Sequence, residues 1–73
     1  MKVYDCWWIA IPETNVGVQA KSRNKAKSIT FRKVRDAYDC ARYTDIRARL
    51  DPCAKVHYDE SGKLLTTNAS QNA

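Results

Sequence analysis

The chain has 73 residues, 44% of them hydrophobic, and 13 lysines and arginines against 8 carboxylates give it a net charge of +5. That length holds one core and not two, and Trp7, Trp8, Phe31 and four tyrosines are more apolar bulk than a disordered tail carries. No run of about 18 apolar residues is present to cross a membrane, and the N-terminal apolar stretch, short and carrying Asp5, does not read as a secretion signal.

A cytoplasmic location is therefore expected by elimination. Cys6, Cys40 and Cys53 are odd in number and form no CxxC pair, so any disulfide would leave one thiol free. Free thiols in a reducing compartment are the ordinary reading. A core of this size outweighs chain entropy by only about 3–5 kcal/mol.

In chain order, residues 3–11 (VYDCWWIAI) combine β-branched and aromatic side chains and end at Pro12, which predicts a first strand. Alternation groups Val3, Asp5, Trp7, Ile9 and Ile11 on one face and Tyr4, Cys6, Trp8 and Ala10 on the other. The first group holds more aliphatic bulk and is assigned to the core. Pro12–Asn15 supplies turn residues. Residues 16–21 then alternate as a half-exposed second strand, with Val16, Val18 and Ala20 opposite Gly17, Gln19 and Lys21.

Ser22 is a plausible helix cap, although Lys25 leaves it without a capping-box carboxylate. From Arg23 to about Tyr38, Ala26, Thr30, Val34, Ala37 and Tyr38 form an apolar stripe with Phe31 at its edge and Ile29 off it. Lys25, Ser28, Arg32 and Arg35 lie on the far side. The weak propensity of Thr30-Phe31 leaves two shorter helices open as an alternative. Residues 39–42 read as a loop. Residues 43–50 alternate as a third strand, Thr44, Ile46, Ala48 and Leu50 against Tyr43, Asp45, Arg47 and Arg49, and Asp51-Pro52 ends it. Within residues 53–65, Cys53–Tyr58 could be a helical turn or a short strand, Asp59–Gly62 is a turn signal, and Leu64-Leu65 should dock against the domain.

The predicted fold is α+β, a single domain over residues 1–66 followed by a polar tail, 67–73, that should fray. Its connectivity is β-β-α-β. A right-handed crossover makes the second and third strands parallel, and placing the first between them gives the order 2-1-3. The helix is expected over Trp7, Ile9, Val18 and Ile46. The other sheet face has no cover in prospect but the C-terminal segment.

Ten cations against three carboxylates place a net +7 within residues 21–49, so the rest of the chain is slightly acidic. Such a field attracts phosphate backbones, an acidic protein surface or anionic headgroups, and it also simply keeps a small domain soluble. Two surfaces could use it. One is the start and outer face of the helix, with Arg23, Lys25, Lys27, Arg32 and Arg35; cations in the first turn oppose the helix dipole. The other is the sheet face away from the helix, where Tyr4, Trp8, Gln19, Lys21, Tyr43, Arg47 and Arg49 would interleave rings and cations as single-strand platforms do. Trp8 could instead be covered by Leu64, Leu65 or a second copy of the chain.

Catalytic signatures are missing. His57 is the sole histidine, and no triad partner stands at a telling spacing from it. Gly17 and Gly62 are too few for a phosphate loop. A non-enzymatic chain without cofactor is expected. Cys6, Cys40, Cys53 and His57 are formally a Cys₃His zinc set, but the knuckle that normally places the first ligand pair is absent. Three small hydrophobes and a surface histidine is the plainer reading.

The segments AKSRNKAKSI (20–29) and YTDIRAR (43–49) resemble a recurrent pattern in small proteins of bacteriophages and prophages of Gram-positive bacteria. In that pattern a strand leads to an Ala/Ser-led helix with an N-K-A-K stretch, then to an aromatic-T-D-I-R strand. The resemblance spans about residues 16–50. It implies an accessory role for a virus in a bacterial cell and assigns no functional residue. The two leading expectations are binding of nucleic acid and binding of an acidic host or phage protein, with monomer and homodimer both open.

Overall fold

The computed structural model describes residues 1–65 and has the expected β-β-α-β order. β1 spans Lys2–Trp8, β2 Ile11–Ala20, α1 Arg23–Ala37 and β3 Ile46–Leu50. The sheet order is β2-β1-β3, and β1 is antiparallel to both neighbours, so β2 and β3 run parallel. The tail expected to fray, 67–73, lies outside the described residues. Among the described residues no helix is long and apolar enough to cross a membrane.

The first hairpin turns earlier than the sequence suggests. Trp8 pairs with Ile11, so Ile9 and Ala10 make the turn. Pro12–Asn15 is instead a bulge within β2, set between the pairs Cys6–Val16 and Trp8–Ile11. Such a position suits Pro12, which has no N–H to give a ladder. Thr14 fastens the bulge: its Oγ1 accepts from the Trp8 N–H at 3.1 Å and donates to the Ile11 carbonyl at 2.8 Å.

The early turn reverses the predicted facing of β1. Ile9 and Ile11 lie beyond the strand and cannot share its alternation, which leaves Val3, Asp5 and Trp7 against Tyr4, Cys6 and Trp8. Only the second set is free of charge, and it is the buried one: Tyr4 5% exposed, Cys6 0% and Trp8 5%. The helix therefore covers Tyr4, Cys6 and Trp8 together with Val18 and Ile46, not Trp7 and Ile9.

Two apolar clusters lie between sheet and helix. Tyr4, Cys6, Val18, Ala20, Ala26 and Ile29 form one. Trp8, Val34, Ala41 and Ile46 form the other, flanked by Ile11 and Phe31. α1 is a single helix. Ser22 caps it by accepting from the Lys25 N–H at 3.2 Å, and the Thr30 hydroxyl donates to the Ala26 carbonyl at 3.0 Å, which lets a polar residue sit in the core. The buried stripe is Ala26, Ile29, Thr30 and Val34. Ile29 belongs to it, whereas Ala37 and Tyr38 are exposed, although the Tyr38 ring leans on Trp8 with centroids 5.1 Å apart.

The expected third strand is shorter than its alternation implied, since Tyr43–Asp45 is a 3-10 turn. After β3, residues 51–56 lead across the sheet face opposite the helix. There the Lys55 carbonyl occupies the space a Cβ on Gly17 would need. Residues 57 and 58 then line the outer edge of β2: the His57 and Tyr58 N–H groups donate to the Gly17 carbonyl at 2.7 and 3.1 Å, and the Gln19 N–H donates to the Tyr58 carbonyl at 3.0 Å. His57 Nδ1 accepts from the Gly17 N–H at 2.9 Å. A turn closed by the Asp59 carboxylate follows, which accepts from both the N–H and hydroxyl of Ser61 and from the Lys63 N–H. These donors hold the Asp59 carboxyl below its ordinary range. Leu65 then donates to the His57 carbonyl. We call residues 51–58 the strap.

Candidate functional site

The reversal of β1 redistributes the residues expected to bind. Tyr4 and Trp8 cannot form an open platform, because both lie under the helix. Neither the C-terminal leucines nor a second chain is needed to cover Trp8. Its Nε1 is buried with no hydrogen-bond partner among the described residues.

Trp7 takes the place foreseen for Trp8. It points away from the helix, is partly exposed, and faces Arg47 across the β1–β3 ladder. Asp5, two residues back on the same face, is opposite Arg49 on one side and Gly17 on the other. Arg47 and Arg49 are both exposed, on the face the alternation of residues 46–50 predicted.

Asp5 organises this face. Its Oδ2 accepts from Arg49 Nη2 at 3.4 Å and its Oδ1 accepts from Asn15 Nδ2 at 3.3 Å. Among the described residues Arg49–Asp5 is the one ion pair. Asp5, Trp7, Pro12, Asn15 and Arg49 line a shallow trough of about 270 Å³. The β2 bulge makes its far wall, supplying Pro12 and Asn15. Arg47 stands beside the trough and donates from Nη1 to the Thr44 carbonyl at 2.7 Å and the Ile46 carbonyl at 3.3 Å.

Tyr43, expected on the open face, sits on the flank of α1. The 3-10 turn swings its ring edge-on to Phe31 with centroids 5.8 Å apart, and its hydroxyl donates to the Asn24 carbonyl at 3.4 Å. Lys27 Nζ lies 5.0 Å from the centre of the Tyr43 ring, and the Arg35 guanidinium 5.9 Å from that of Phe31. Lys21, Arg23, Lys25, Arg32 and Arg35 are exposed, as foreseen. The structure thus divides the predicted set, with Tyr4 and Trp8 in the core, Arg47 and Arg49 on the sheet face, and Tyr43, Lys27 and Arg35 on the helix flank.

A second hollow, about 140 Å³, lies between α1 and β2 and is lined mainly by apolar groups of Val16, Thr30, Val34, Ala37 and Tyr38. The three thiols are dispersed: Cys6 is buried, Cys40 and Cys53 are exposed, and none is in a disulfide. Among the described residues no three His, Cys, Asp or Glu side chains come together as a metal would need. His57 serves the strap.

Sequence reasoning missed Trp7, Asp5 and Asn15 as site residues. Asp5 was the available signal, since a charged residue sharing the parity of Trp7 marks that side of a strand as the wet one. Comparison with protein-family models, curated proteins and solved structures gives no match.

Proposed function

We propose that this chain is a non-enzymatic binding module for single-stranded nucleic acid, an accessory protein of the kind the phage resemblance implies, acting in the cytoplasm. One observation carries the reading. Trp7 stands partly exposed on the sheet face away from the helix, which the strap covers only in part, opposite Arg47 and one step from Arg49. Bases stack on such a ring whatever their identity, and guanidinium groups beside it meet the phosphates. Ten cations within residues 21–49 add a field that draws a polyanion in.

Titration with labelled single-stranded oligonucleotides at several salt concentrations tests the proposal. Affinity should fall with salt at a log–log slope of about −0.7 for each phosphate neutralised. Trp7→Ala should weaken binding about tenfold or more, since stacking contributes roughly 1–3 kcal/mol per base. Native protein that fails to bind at low salt, or a Trp7→Ala variant that binds as well as native, overturns the reading.

The helix flank supports a second reading, an acidic protein partner. Tyr43 and Phe31, set between Lys27 and Arg35, offer an aromatic anchor ringed by cations. A partner held there would be captured from nuclease-treated lysate, survive moderate salt, and be lost on Tyr43→Ala with Trp7→Ala harmless. The opposite pattern favours nucleic acid.

A further inference from the structure

The trough beside Trp7 carries a hydrogen-bonding pattern as well as charge. Asn15 Nδ2 contacts Asp5 Oδ1 and Arg49 Nη2 contacts Asp5 Oδ2, so the order of groups from Oδ1 through Oδ2 to Arg49 is acceptor, acceptor, donor. The contacts that hold them are long, 3.3 Å from Asn15 and 3.4 Å from Arg49, so an incoming partner can replace them at little cost. The Asp5 side chain is 19% exposed and that of Arg49 68%, so both are reachable from solvent beside the strap.

Only one nucleobase complements that order. The pairing edge of guanine presents two adjacent donors, N2–H and N1–H, followed by the O6 acceptor. Adenine and cytosine present a single exocyclic donor beside a ring acceptor, and thymine or uracil a single donor between two acceptors. We propose that the trough is a guanine pocket: Asp5 accepts N1–H and N2–H, Arg49 donates to O6, and Trp7 stacks on the ring. The protein would then offer guanine the complement that cytosine offers it in a duplex. A carboxylate in an otherwise cationic site is costly for general phosphate binding, and base reading gives it a use. The inference rests on the proposal that single strands bind this face and deepens it from tolerant stacking to recognition of one base.

The experiment uses short thymine oligonucleotides carrying one central guanine, adenine or cytosine; a single guanine avoids guanine self-association. Native protein should bind the guanine oligonucleotide about tenfold more tightly than the others. Asp5→Asn replaces an acceptor by a donor at nearly constant shape. It should erase that preference while affinity for the all-thymine strand holds or rises, because a negative charge is lost. Arg49→Lys keeps the charge but loses the fork, and should reduce the guanine preference. Thermal melts of both variants confirm folding. Equal affinity of native protein for all four oligonucleotides overturns the guanine pocket and leaves single-strand binding standing, as does a guanine preference unchanged in Asp5→Asn. No binding to any oligonucleotide overturns both.

Discussion

The carbonyl of Lys55 lies where the side chain of any residue other than glycine at position 17 would begin. That contact seats the strap on the sheet and brings His57 and Tyr58 to the edge of β2. Gly17→Ala should therefore lift the strap and cost about 1–3 kcal/mol, the usual range for overpacking a fitted site. Amide exchange at His57, Tyr58 and Gln19 should speed up while the α1 amides stay protected. Unchanged stability and exchange would show that the strap shifts aside freely.

The two tryptophans should part company under mutation. Trp8→Ala empties the middle of a core cluster and should cost about 3–5 kcal/mol, comparable to the whole stability of a domain this small. Trp7→Ala, on the partly exposed face away from the helix, should cost about 1 kcal/mol or less. Denaturant melts of both variants check this. Equal losses would place Trp7 in the core as well.

This contrast shows what the sequence made legible. Element order and the facing of residues 16–20 and 46–50 follow from alternation, because those segments are true strands along their whole length, and the strand order follows from the handedness of the crossover. The facing of β1 does not, because Ile9 and Ile11 look like strand residues and only the tertiary pairing of Trp8 with Ile11 shows that the chain has already turned. Tyr43 was misplaced for a related reason: residues 43–45 alternate in sequence but coil in the fold. The strap has no periodicity to detect. Its one trace in the sequence is Gly17, a glycine in mid-strand, which often marks close approach by another backbone.

Burial raises the Cys6 thiol above its ordinary value of 9.0; the Thr30 hydrogen bond and Lys27 oppose this, and Asp5 adds to it. A raised thiol binds its proton more tightly folded than unfolded. Its contribution is therefore complete below the ordinary value and is lost as pH climbs from there through the folded value. Melting temperature should fall more steeply above pH 9.0 in native protein than in Cys6→Ala. Parallel slopes would remove Cys6 from the alkaline transition. In native protein a thiol reagent should modify the exposed Cys40 and Cys53 well before Cys6.

Concentrated protein offers a separate test of the strap. An uncovered sheet edge is a template for foreign strands, and residues 57 and 58 occupy the positions on β2 that an intruder would use. The opposite edge, β3, is five residues long, and Arg47 folds back onto the Ile46 carbonyl there. Truncation after Asp51 should leave the hairpin and helix able to form but convert a dispersed protein into one that self-associates, visible as light scattering that grows with concentration and time. A truncated chain that stays dispersed would mean β2 needs no guard. If it aggregates, the strap's most general service is to keep neighbouring molecules from mistaking one another's edges for their own.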